Sequence, residues 1–252
     1  MDLSERQAAS ATRHPWEQAR ARFFERLVDD IIHPGAPIAW LDVGAGDAWL
    51  GMQIADSLPP GSSMVCWDIN YTADDIESLE ASAQDVRFTA QQPTDRADVI
   101  SLLDVLEHVE DDVGLLGLLV EQNLAPNGVV IVSVPAYQRL FTSHDTALAH
   151  HRRYSPDQCR AVIRSCGLRI DQDGGLFSSL LGPRTAQAAL ERVRTSPAVE
   201  QAGVGGWSGG PVITKAMTSV LNADAAASRW MSGRGWLLPG LSYWAVCRRA
   251  GS

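Results

Sequence analysis

PIAWLDVGAGDAWLG, residues 37–51, carries a short apolar run into Gly44-x-Gly46 and then opens a helix. A buried strand suits the run. Glycines at its end let the backbone turn tightly and approach a ligand, with a helix N-terminus beside it. The dinucleotide fingerprint GxGxxG needs a further glycine where Trp49 stands, which counts against a nicotinamide or flavin enzyme. Twenty-two residues beyond Gly46, Asp68 ends the next apolar run, SMVCWDI. A carboxylate at that strand tip can take both hydroxyls of a ribose.

Outward from this unit, strands and helices alternate. PWEQARARFFERLVDDII (15–32) sets Phe23, Phe24, Leu27, Val28, Ile31 and Ile32 at helical spacing. The patterning predicts helices near 47–57, 72–81, 113–124 and 155–167, the last with a Ser N-cap, Pro at its first position and a Gly stop. Strands are expected at 63–69, 85–90, 97–103, 128–135, 168–173 and 241–249. The sum is an α/β fold, a doubly wound, mostly parallel seven-stranded sheet. Residues 174–240 interrupt the alternation with two helix-like runs, 184–194 and 212–231, joined by AGVGGWSGGP. So long a connection is expected to form a helical cap before the last strand. Three units follow: an N-terminal helical segment (1–36), the sheet domain (37–173 with 241–252) and the inserted cap and substrate segment (174–240). Phe177, Trp207, Trp230 and Trp236 are candidates to wall a pocket under that cap.

The 252 residues are 45% hydrophobic and 20% charged, the composition of a globular domain with a full core. Thirty acidic against 21 basic residues leave a net charge of −9, which disfavours nucleic acid as a partner. Cys66, Cys159, Cys166 and Cys247 form no CxxC pair. They suit neither a zinc framework nor a disulfide scaffold, so a reducing cytoplasm is expected. No apolar run approaches membrane-spanning length, and the first fifteen residues lack an export signal.

The order LDVGAG, WDI, DVISLLDVLEHVEDD and LAPNGVVIVSVP resembles the class I S-adenosylmethionine-dependent methyltransferases. The resemblance covers about residues 37–173 and returns at 239–249. It implies S-adenosyl-L-methionine as cofactor, with Asp42 at its methionine end, Gly44 and Gly46 lining it, and Asp68 on its ribose. Ile69, Leu103 and His108 join that set, and Gln91, or Gln92 beside it, would serve through its amide in place of the family's acidic adenine partner. Ala48 stands where the family has a third glycine. RHPWEQARARFF resembles the leading helix of a bacterial subgroup in which His-Trp and a following Arg pack over the cofactor, which implies Trp16 and Arg20. PAYQRLFTSHDTALAHHRRYSPDQCRAVIRSCGL resembles the same subgroup's HD…HxRRY segment. The implied acceptor is a small molecule such as a natural product or sugar, with neither nucleic acid nor membrane as partner. Oligomeric state is left open.

His144, Asp145, His150, His151, Arg152, Arg153 and Tyr154 form the densest polar group and follow the fifth strand. Methyl transfer is an in-line displacement at a carbon activated by sulfonium, and a hydroxyl or ammonium acceptor must also lose a proton. His144 is expected as that base, with His150 next. Tyr137, Arg152, Arg153 and Tyr154 are expected on the substrate, an Arg gripping an anionic group. Asp104, Glu107 and His108 approach the ExxEH of metal-binding relatives, but metal-free relatives share DVLEH, and no metal is expected. A catalytically silent cofactor-fold module and an RNA methyltransferase are the rival readings.

Overall fold

In the computed structural model, which describes residues 13–31, 35–83, 85–193, 207 and 209–251, the apolar runs pair into one seven-stranded sheet. The strands are β1 (Ala39–Val43), β2 (Ser63–Trp67), β3 (Val86–Thr89), β4 (Ala97–Leu103), β5 (Leu124–Pro135), β6 (Leu168–Leu176) and β7 (Ser242–Arg249). Their order is β3-β2-β1-β4-β5-β7-β6. Strands β1 to β5 are parallel, and β7 runs antiparallel between β5 and β6. The ends of β1, β2, β3, β4, β5 and β6 therefore lie along one edge, where open α/β sheets hold their ligands.

Alternate residues divide the core between two faces, as a pleated strand requires. Trp40, Val129, Ile131, Trp244 and Val246 pack on one face with Phe24 and Leu27 of α1 (Pro15–Ile31) and Ile54 of α2 (Trp49–Ala55). Helix α3 (Ala73–Glu80) adds Leu79 there. Leu41, Ile100, Val130, Val132 and Ala245 pack on the other, against Leu116 and Leu119 of α4 (Asp112–Gln122) and Ile163 of α6 (Pro156–Ser165). The expected cap and the polar loop before it hold three more helices: α5 (Ser143–Ala147), α7 (Leu181–Val193) and α8 (Pro211–Ser232).

Helix α8 is not a lid. Its Leu221 and Ala225 are buried in the first core face, and buried Ser228 accepts a hydrogen bond from Trp244 Nε1 at 3.1 Å. Arg229 pairs with Asp30 of α1, so α8 completes the helical layer over β6 and β7. Strand β6 also runs three residues further than the pattern predicts. A side chain at Gly175 would meet the backbone of Leu238 and Gly240 at 2.4 Å, so two chain segments cross there too closely for any Cβ. Ile32, the first twelve residues and most of the AGVGGWSGGP link lie outside the described residues. No helix among the described residues is long and apolar enough to cross a membrane.

Candidate active site

The turn after β1 and the tip of β2 are tied together. Asp68 Oδ2 accepts from Gly46 N at 2.9 Å and Oδ1 from Asn70 N at 2.9 Å, which fixes the carboxylate and leaves a second lone pair on each oxygen. Ile69 beside it is 73% exposed, an apolar plate beside the cradle. Gly44 has φ +64°, and a Cβ there would meet Val105 Cγ2 at 2.7 Å. Asp42 is buried, accepting from Ser101 Oγ at 2.5 Å. Burial pushes its carboxyl up to about 6, against the Ser101 hydrogen bond. Gln91 is exposed just past β3, and Leu103 is buried at the tip of β4. A flat nucleoside with a vicinal diol fits this edge: a fixed acceptor, close backbone and an uncovered apolar face.

Strain collects on the same edge. The non-glycine residues with positive φ among the described residues are Ala48, Asp104, Tyr137, Ala149 and Phe177, all in connections that leave strand tips. Asp104, at φ 61°, donates its N–H to Ser133 O at 2.8 Å and pairs with Arg20 Nη2 at 2.9 Å. Ala48 takes the left-handed conformation that a glycine would adopt without strain.

Beyond the β4 and β5 tips lies a cavity of about 230 Å³. Trp16 and Arg20 of α1 line one side; Asp104, Glu107 and His108 follow β4; His144, His150 and Arg153 follow β5; Phe177, Leu180 and Arg184 come from the inserted segment. Asp145 joins these pieces from beneath. It is fully buried, and its Oδ1 takes Arg153 Nε at 2.6 Å and His150 Nδ1 at 3.0 Å. Its Oδ2 takes Thr142 N at 2.9 Å and Arg184 Nη2 at 3.0 Å. Burial alone would push this carboxyl up. The hydrogen bonds from His150 and Arg153, with the Arg153 charge, outweigh burial and hold it well below the usual carboxylate range. His144 is half-buried, and burial followed by the Arg184 charge lowers its pKa, so its ring stays neutral. Glu107 is fully buried, and neither carboxyl oxygen has a hydrogen-bond partner among the described residues. Burial and the nearby Asp104 raise its pKa strongly, which leaves a neutral acid facing the cavity. Glu107, His108 and His150 each bring one ligand-type atom within 4.8 Å of the others.

Of the residues expected on the cofactor and substrate, Trp16, Arg20, His108, His144, His150 and Arg153 line this cavity. Asp42, Gly44, Gly46, Asp68, Ile69, Gln91 and Leu103 lie along the neighbouring strand tips. The expected substrate contacts fare differently. Tyr154 is buried, donating to Asp112 Oδ2 at 2.6 Å with Leu106 O 3.1 Å from the same hydroxyl. Arg152 donates to Glu110 O at 2.8 Å and pairs with Asp112 at 3.1 Å. Tyr137, stacked under Arg139, lies outside the cavity lining. The Arg-Arg-Tyr run therefore clamps its own loop, and Arg153 reaches the cavity only while committed to Asp145. Of the four aromatics expected under the cap, Phe177 alone lines the cavity. Trp230 and Trp236 are about half exposed, and Trp207 packs against His14. Asp145's place as hub and Arg184's place in the site were not read from the sequence. Arg184 meets Asp145 across 39 residues, and no spacing rule reports such a contact.

Residues 9–172, well over half of the chain, match the family described as a methyltransferase domain. No curated protein matches. Among solved structures, the [4+2]-cyclase SpnF is similar with a TM-score of 0.57 and 13% identity, over 96% of this chain and 84% of that one. An S-adenosylmethionine-dependent methyltransferase from Mesorhizobium loti is similar with a TM-score of 0.53 and 12% identity, over 89% and 96%. At such identities these likenesses speak for the fold alone. With the family match and the strand order, the chain belongs to the methyltransferase-domain family and is a class I S-adenosylmethionine-dependent methyltransferase.

Proposed function

We propose that the enzyme methylates a small molecule in the cytoplasm, with the acceptor seated in the cavity between α1 and the start of α7. The carrying observation is that enclosure: Trp16 on one side and Phe177, Leu180 and Arg184 on the other leave about 230 Å³, room for a small group. A net charge of −9 also suits a metabolite better than a nucleic acid. Four free thiols, three of them buried, fit a reducing compartment.

S-adenosylmethionine, when bound, supplies a methyl group already activated by sulfonium. Asp68, Gly44 and Gly46 would hold its adenosine end, and Arg20 with Asp104, just past the tip of β4, would face its methionine end. The remaining task is alignment, exclusion of water and removal of one proton from the acceptor. His150 is the better base. The Asp145 carboxylate accepts from His150 Nδ1–H at 3.0 Å, which orients the ring and leaves Nε2 as the basic nitrogen. His144 lines the same cavity and is the alternative base.

The test is transfer of an isotope-labelled methyl group from S-adenosylmethionine into a cell extract split into small-molecule and macromolecular fractions. Label in the small-molecule fraction supports the proposal. Label confined to RNA or protein overturns the choice of acceptor.

A further inference from the structure

Helix α8 has two faces, and the core uses one of them. Thr214, Thr218, Leu221, Ala225 and Ser228 are buried on its inner side. On the opposite side Ile213, Ala216, Val220, Ala223, Ala227 and Trp230 are all exposed. They recur at alternating steps of three and four residues, the seam of a coiled-coil helix, along most of a helix of 22 residues and about 33 Å. No charged or polar side chain interrupts the seam. The charges beside it are engaged elsewhere: Asp224 Oδ2 accepts from Ser179 N at 2.7 Å, and Arg229 pairs with Asp30.

Trp230 anchors one end of this strip. Arg234 lies over its ring at 3.8 Å and Trp236 meets it edge-on at 6.2 Å, yet both indoles stay more than half exposed. Val212 beside Ile213 is 80% exposed at the other end. With the alanines between, the strip offers on the order of 700 Å² per copy, close to the about 800 Å² per partner of a stable interface. A monomer seldom leaves so much contiguous apolar surface bare. The strip is also complementary to itself. Laid antiparallel about a two-fold axis midway between Val220 and Ala223, Trp230 of one copy faces Ile213 of the other. Ala227 then faces Ala216, and Ala223 faces Val220. Each large side chain meets a smaller one, and the paired alanines let the helix axes approach to about 8 Å. A parallel alignment would instead set Trp230 on Trp230.

We propose that two copies of this chain associate through the outer faces of α8, antiparallel about that axis. The inserted segment then does two things outside the chemistry: its second helix covers the sheet on one side and binds a second chain on the other. Helix α8 does not line the cavity, so the pairing stands or falls separately from the proposed acceptor.

Sedimentation equilibrium of the full chain over a concentration series is the test. The expected result is the mass of two chains, falling toward one on dilution. Val220→Glu sets a charge in the middle of the seam and should weaken pairing by about tenfold or more. Because Val220 is exposed, the circular dichroism of the fold should be unchanged in that variant. Ala223→Arg is the second probe should Val220→Glu not fold. The register has its own check. Ala216→Glu and Ala227→Lys should each weaken pairing, and the double variant should recover it, because the new carboxylate at 216 of each copy then faces the new ammonium at 227 of the other. A single-chain mass at every concentration overturns the proposal and leaves the face to another partner. A dimer that Val220→Glu and Ala223→Arg leave intact overturns it too, since the chains would then meet elsewhere. So does a double variant that stays as weak as the single ones, because the antiparallel register would be wrong.

Discussion

The carboxylate of Asp68 holds two backbone N–H groups and keeps capacity for two ribose hydroxyls. Its removal should weaken S-adenosylhomocysteine by about 1–3 kcal/mol, the usual loss of a charged acceptor. Proton removal should separate cleanly from cofactor binding. General-base catalysis contributes about 10²–10⁴-fold, so His150→Ala should lower kcat by that order. Asp145→Asn, which keeps the shape but loses the charge that orients His150, should lower kcat less. If His144→Ala gives the larger loss, the roles of the two histidines are exchanged. Metal chemistry is not required by a sulfonium-activated methyl, so dialysis against a chelator should leave kcat unchanged. A loss restored by one divalent ion would assign Glu107, His108 and His150 as its ligands.

At the scale of elements, the two helices of the inserted segment do different work. The start of α7 brings Arg184 to the cavity, with Leu180 from the turn just before it, whereas α8 covers the sheet. Leu221→Ala in α8 should therefore destabilise the fold by about 2–4 kcal/mol, read by denaturant melts, with little change in the kinetics of the remaining folded enzyme. Most elements were legible from the sequence. Period and punctuation located β1 to β5 and α6, because a parallel sheet buries near-continuous apolar runs between turn signals. The five-residue α5 was missed, since SHDTA is polar and too short for a helical period to show. The role of α8 was misread for a different reason. An amphipathic run says that one face is buried, and it does not say against what. The convergence of Gly44, Gly46 and Asp68 at neighbouring strand tips was likewise readable from local pattern. The acceptor pocket was not, because Asp145, His150 and Arg184 converge through tertiary contacts that no spacing encodes.

For the whole molecule, two buried acids set opposite trends of stability with pH. Asp42 is raised from 3.8 to about 6 by burial, so the fold favours its neutral form. Its contribution is fully present below about pH 4 and is lost as pH rises through about 6, a change of about 3 kcal/mol. Asp145 is depressed, so its contribution is present above the ordinary carboxylate range and lost as pH falls. Thermal melts of the enzyme alone should show Asp42→Asn gaining on the native protein between about pH 4 and 7. Asp145→Asn should lose most at neutral pH and least in acid. The reverse pH trends would mean that neither carboxyl is tuned as the geometry implies. The account as a whole divides the sheet edge into an adenosine side held by Asp68 and an acceptor side served by His150. Calorimetry of S-adenosylhomocysteine with the native enzyme, Asp68→Ala and His150→Ala tests that division directly. One-to-one binding that weakens about tenfold or more in Asp68→Ala and stays near native in His150→Ala is the expected result. Unchanged affinity in Asp68→Ala, or no binding to the native enzyme, would contradict it.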